Sequence, residues 1–164
     1  MIELHPVPLS SAGFAPYGDV IEATVAQVAA MNAERFERFD DLCAVEANDG
    51  HVAISIARCR TATALPYRFE MVERHPYGSQ AFVPLTRSRF MVVVAPPGNN
   101  VVATDLRAFV TNGLQGINYH RGTWHMPLIG FDPGQEFLVI DRAGDTSNCD
   151  EHILEVPVTL LDDA

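Results

Sequence analysis

GINYHRGTWHMPL, residues Gly116–Leu128, reads as a strand, a turn at Arg121–Gly122–Thr123 and a second short extended piece closed by Pro127. Side chains alternate faces along a strand, so positions five apart point to opposite sides. A turn between them breaks that parity. His120 and His125 are therefore expected to reach one cavity. Tyr119, Arg121 and the single tryptophan, Trp124, crowd the same few residues. The alternative is a structural turn whose histidines are buried and satisfied by hydrogen bonds.

The same short rhythm runs through the rest of the chain. Val52–Arg58 alternates, with Val52, Ile54 and Ile56 on one face. Phe90–Ala95 (FMVVVA) is almost wholly apolar, as a strand covered on both faces must be. Tyr67–His75, Gln80–Leu85, Leu128–Phe131, Glu136–Arg142 and Ile153–Leu161 are further strand candidates. The turns between them are marked by Gly78, Pro96–Asn100, Asn112-Gly113 and Asp132-Pro133-Gly134. Ser10 and Ser11 can cap one helical turn before Pro16, and the alanines of Ala23–Ala33 predict a helix. Long helices alternating with strands are absent. The expected class is all-β, an antiparallel barrel or sandwich with one or two short helices, folded as a single domain over 1–164. A small barrel of this kind encloses a ligand cavity.

Composition narrows the function. The 164 residues carry a net charge of −10, which disfavours nucleic acid and anionic membranes as partners. All 11 basic residues are arginine. Without lysine there is neither a Schiff base nor a lysine general base. Cys43, Cys59 and Cys149 are odd in number and far apart, so neither a zinc knuckle nor a disulfide framework is expected. No apolar run approaches the ~20 residues of a membrane span. MIELHPVPLS lacks the basic and apolar regions of a signal peptide, so a cytoplasmic location is expected.

A second stretch, Glu73-Arg74-His75-Pro76-Tyr77-Gly78-Ser79-Gln80, carries chemistry. Glu73 and His75 share strand parity, Arg74 faces the other way, and Gln80 can rejoin the Glu73/His75 side after the Gly78 turn. With a histidine from another strand, these residues make a first shell for a divalent metal, and the ligand types alone do not choose among Zn, Ni, Mn and Fe(II). The alternative is a strand with Glu73 paired to an arginine.

GINYHRGTWHMPL, ERHPYGSQAFVPL (Glu73–Leu85), AFVTNG (Ala108–Gly113) and the segment Ile140–Glu151 together resemble the ureidoglycolate lyase family. The resemblance runs from Phe14–Ile21 to Asp150. It implies a cupin-like β-barrel, a homodimer, and cleavage of (S)-ureidoglycolate to glyoxylate and urea in allantoin and purine nitrogen breakdown. Cupins carry HxH…E and PxGxxH motifs. Against them, His125 falls on a metal-ligand histidine and His75 on another. Glu73 stands in place of the first histidine, Gln80 in place of the glutamate, and His120 in place of proline. The implied metal set is Glu73, His75 and His125, with nickel as the implied ion; because two of the four usual ligands differ, the metal is expected to be weakly bound, or else the pocket is metal-free and these residues meet the substrate directly. Proton transfer then falls to His120, His125 and Tyr119. Substrate binding falls to Gln80, Glu73 and, for the carboxylate, an arginine such as Arg121 or Arg142. Two other readings compete: a different metal-dependent cupin enzyme, an isomerase or dioxygenase, and a non-catalytic barrel that binds small acids.

Overall fold

A computed structural model describes residues 2–24 and 28–162. Its strands are β1 (Ile2–Leu4), β2 (Val7–Pro8), β3 (Gly18–Ile21), β4 (Val28–Met31), β5 (Phe36–Phe39), β6 (His51–Arg58) and β7 (Tyr67–Arg74), then β8 (Gln80–Pro84), β9 (Met91–Ala95), β10 (Arg107–Val110), β11 (Gly116–Tyr119), β12 (Trp124–His125), β13 (Glu136–Ala143) and β14 (Asp150–Leu160). One helical turn, α1 (Ser11–Phe14), and one 3₁₀ turn, Ala103–Asp105, complete the regular structure. Ser10 caps α1, its Oγ accepting from Gly13 N at 3.2 Å.

Seven strands form one sheet in the order β1-β14-β7-β12-β9-β10-β2, and five form a second, β3-β11-β8-β13-β6. Pairing is antiparallel apart from β1 with β14 and β2 with β10. β9 explains how the two sheets pack. Val92 and Val94 join Phe14, Phe82, Phe90, Ile117, Tyr119, Phe137 and Val139 in one apolar cluster. Met91, Val93 and Ala95 join Val72, Trp124, Leu154, Val158 and Leu160 in another. An alternating strand with a core on both sides has no polar position to spare, which is why FMVVVA is apolar throughout. Each such residue fully buried contributes about 1.5–3 kcal/mol.

Two expectations fail. Val28–Met31 pairs antiparallel with Phe36–Phe39 as a hairpin rather than continuing the Ala23–Ala33 helix; residues 25–27 of that stretch lie outside the described residues. Alanine's helix preference amounts to only tenths of a kcal/mol per residue, and cross-strand pairing overrides it. Leu128–Phe131 is irregular, although Thr63 N still bonds Gly130 O at 2.7 Å. Val52, Ile54 and Ile56 do share a face, but it points outward, leaving them 49%, 70% and 55% exposed. Their cross-strand partners on β13 are Arg142, Ile140 and Leu138.

Candidate active site

Three short strand ends meet on the inner side of the sheets. His125 on β12 pairs across to Glu73 on β7. His75 follows two residues later, on the same side as Glu73, as its parity requires. Ligand atoms of Glu73, His75 and His125 all lie within 4.8 Å of one another. Gln80, the first residue of β8, turns its Oε1 to within 3.1 Å of His75 Nε2, while its Nε2 donates to Asp141 Oδ2 at 3.4 Å. Tyr119 lies flat on the His125 ring, with centroids 4.2 Å apart and planes at 15°.

The protein fixes both imidazoles from behind. His125 Nδ1 donates to Thr123 O at 3.0 Å, and His75 Nδ1 donates to Asn148 O at 2.6 Å. Each contact leaves Nε2 aimed inward, the usual way a metal-binding imidazole is oriented. His125 is only 1% exposed, and its Nε2 lies 3.5 Å from Glu73 Oε1, at the outer limit of a hydrogen bond. That Nε2 and Asn118 Oδ1 are the buried side-chain polar atoms left without a partner among the described residues. Burial pushes the His125 imidazole below its ordinary pKa, outweighing the nearby Glu73 charge, so the ring is neutral with a free lone pair. The approach of His125 holds the Glu73 carboxyl below its usual range despite burial, so the carboxylate is ionised. A neutral, orphaned imidazole nitrogen beside an ionised carboxylate fits a divalent cation, with His75 as third ligand and the Gln80 amide oxygen alongside.

The remaining candidates lie elsewhere. Asn118 and His120 face away from Tyr119, toward Asp19 on β3: His120 Nε2 is 3.0 Å from Asp19 Oδ1, and Asn118 Nδ2 donates to Asp19 Oδ2 at 3.0 Å. Burial alone would raise the Asp19 carboxyl, but hydrogen bonds from Asn118, His120 and Ala44 together hold it below its ordinary value. The turn at Gly122, with φ of +80°, therefore does not bring the two histidines into one cavity. His120 keeps the outward side of its strand neighbour Asn118, and His125 goes to the triad. Tyr119 is inside, but burial, reinforced by Glu73, pushes its phenol far above the ordinary value, so it keeps its proton.

The arginines are committed as well. Arg121 Nε meets Glu46 Oε2 at 3.4 Å on a half-exposed surface. Arg74 bonds Asp150 Oδ2 at 3.0 Å and lies 4.7 Å over the Trp124 ring. Arg142 is 7% exposed and gives its donors to Asn48 O, Asp49 O, Thr146 O and Thr146 Oγ1. Cys149 donates to Glu73 Oε2 at 3.6 Å. Burial and then the Glu73 charge push its thiol up to about 11, well away from a reactive thiolate. Asp19, Asn148 and Thr123 were missed from sequence, since backbone carbonyls and partners a hundred residues away leave no local signal.

The ureidoglycolate lyase family model matches residues 1–161 of the chain. The chain belongs to the ureidoglycolate lyase family. Relatives bearing that name include one from Pseudomonas fluorescens (strain SBW25), 47% identical over 156 residues, covering 94% of this chain and 93% of the relative. One from Burkholderia mallei (strain NCTC 10229) is 46% identical over 159 residues, covering 96% and 92%. One from Pseudomonas aeruginosa (strain UCBPP-PA14) is 44% identical over 156 residues, covering 94% and 92%. Family and relatives alike support a carbon–nitrogen lyase acting on ureidoglycolate, and the all-β, cupin-like fold agrees with that membership.

Proposed function

We propose that this single-domain protein cleaves (S)-ureidoglycolate to glyoxylate and urea, as a step of allantoin breakdown in the cytoplasm. The reacting carbon of the substrate bears a hydroxyl, a carboxylate and a ureido nitrogen. The C–N bond breaks, the hydroxyl proton is lost as the aldehyde C=O forms, and the departing nitrogen takes up a proton. Atoms balance without water.

The buried, partnerless Nε2 of His125 carries the reading. It supports Glu73, His75 and His125 as the holders of a divalent metal, nickel by family resemblance. Such an ion would take the hydroxyl and carboxylate oxygens of the substrate and lower the hydroxyl pKa. Gln80 has both a donor and an acceptor to set against the urea amide. Asp141, tied to Gln80, is the inward carboxylate left to move a proton, a role that His120 is badly placed to fill. Tyr119, with its proton retained, holds the His125 ring by stacking.

The outward apolar face of Val52, Ile54 and Ile56, continued by Leu138 and Ile140 on β13, supports a homodimer, since monomers rarely leave such a patch uncovered. The deciding experiment is a glyoxylate-release assay on single enantiomers, with chelator and with added Ni²⁺ or Mn²⁺. Glyoxylate and urea in equal amounts are expected, lost on chelation and restored by metal. No glyoxylate or urea under any of these conditions would sink the assignment. Direct ammonia release would indicate an amidohydrolase instead.

A further inference from the structure

Arg142 is buried with no carboxylate partner within ion-pair reach among the described residues; the oxygens it bonds are three backbone carbonyls and one hydroxyl. An unpaired buried cation is a poor source of stability. Its contacts instead join separate segments. Nε donates to Asn48 O at 2.7 Å, Nη2 to Asp49 O at 2.6 Å, Nη1 to Thr146 O at 2.9 Å and Nη2 to Thr146 Oγ1 at 2.6 Å. Three glycines clear room for the side chain. A Cβ at Gly78 would come within 2.7 Å of Arg142 Cβ, one at Gly50 within 2.9 Å of its Nε, and one at Gly144 within 2.9 Å of its Nη2. The chain builds a socket for this guanidinium.

The segment clamped at Thr146 is the one that reaches the site. Two residues on, Asn148 accepts the His75 Nδ1 proton on its backbone oxygen at 2.6 Å, and its Oδ1 accepts from Tyr77 N at 2.7 Å. The next residue, Cys149, donates to Glu73 Oε2. From the other clamped segment, Asn48 N bonds Tyr77 O at 2.8 Å. The turn that carries His75 is thus gripped from both sides by segments that Arg142 holds.

We propose that Arg142 is a positioning residue. From the outer face of β13, it locks the 144–149 loop so that Asn148 fixes His75 with Nε2 turned to the site and Cys149 holds Glu73. The inference rests on the reading of Glu73, His75 and His125 as the working site. It assigns Arg142 to that site's geometry rather than to the substrate carboxylate. Lysine keeps the charge but cannot span both segments, because it lacks the planar fork.

The test uses the full chain as Arg142→Lys, Thr146→Val and Thr146→Ser, with folding checked by circular dichroism. Two readouts are taken: Ni²⁺ affinity by calorimetry, and ¹⁵N shifts of the His75 ring in metal-free protein. Arg142→Lys should weaken Ni²⁺ binding by ~10–100-fold, the usual effect of losing support behind a metal ligand. Thr146→Val should weaken it severalfold, and Thr146→Ser should restore it. The His75 signal should change from protonated Nδ1 to a tautomer mixture in Arg142→Lys and Thr146→Val alone. Unchanged affinity and an unchanged Nδ1 proton in both variants would overturn the proposal. Should the wild type bind no Ni²⁺, the metal reading fails by itself and the ring ¹⁵N signal decides the latch. Should Arg142→Lys not fold, the Thr146 pair decides.

Discussion

Acid should weaken this fold through His125. The buried ring has a pKa below its ordinary 6.5, with desolvation the largest cause. Below pH 6.5 the unfolded chain binds a proton at this position that the folded chain refuses. Stability therefore falls as the pH drops from 6.5 toward the folded value, and the slope vanishes once both states are protonated. Within that window one proton is worth about 1.4 kcal/mol per pH unit. Glu73 works in a lower window: its pKa is also depressed, so its contribution is present above the unfolded carboxylate pKa and is lost as pH falls through the folded one. Thermal unfolding in chelator at pH 7.5 and 5.5 therefore isolates the histidine. Against His125→Gln, which cannot titrate, the wild type should lose more in Tm, by up to roughly 3–5 °C, given about 2–4 °C per kcal/mol for a chain of this size. Equal pH dependence in the two proteins would show that His125 is not held neutral by burial, and the case for an open lone pair at Nε2 would go with it.

His120→Ala should keep kcat/KM within about fivefold of wild type, because its partner is Asp19 on the outer face; a loss near the ~100-fold of a missing acid–base group would return His120 to the chemistry. His125→Ala should abolish glyoxylate release while circular dichroism stays native, and wild-type rates would remove it from the site. Cys149, with its thiol near 11, should react with iodoacetamide at pH 7 far more slowly than free cysteine, and burst labelling would contradict the Glu73 contact. If the proposed homodimer pairs through β6, wild type should be dimeric and Ile54→Arg monomeric by light scattering, and the same assembly in both would overturn that contact.

Period-two patterning made the sheets legible. The unbroken apolar run of Phe90–Ala95 marked β9 as covered on both faces, and strand parity, which acts within a few residues, placed Glu73, His75 and Gln80 together. It failed wherever a distant partner decided the outcome. Val28–Met31 is a strand because Phe36–Phe39 pairs with it. His120 turns outward because Asp19, 101 residues away, accepts its bond. Arg142 reads as a free cation until the glycines at 50, 78 and 144 are folded around it. The outward direction of Val52, Ile54 and Ile56 was equally hidden, since alternation gives a shared face without saying which face is covered.

A metal held by Glu73, His75 and His125 would answer a shortage of positive charge at the proposed site. At the proposed site, ureidoglycolate would bring a carboxylate alongside Glu73 and Asp141, which Gln80 and His75 link. The chain has no lysine to meet that charge. Each arginine that the sequence offered is spent outside: Arg74 on Asp150 and Trp124, Arg121 on Glu46, and Arg142 on its glycine socket. Gln80 can donate hydrogen bonds but carries no charge. Three anionic groups brought together there would repel one another without a positive partner. Two imidazoles held with their Nε2 atoms inward, that of His125 unpartnered, would serve as ligands to one. Glu73 at the first cupin position, which looked from the sequence like a weakening of the metal site, would add the charge that a histidine lacks and so favour a cation at the proposed site.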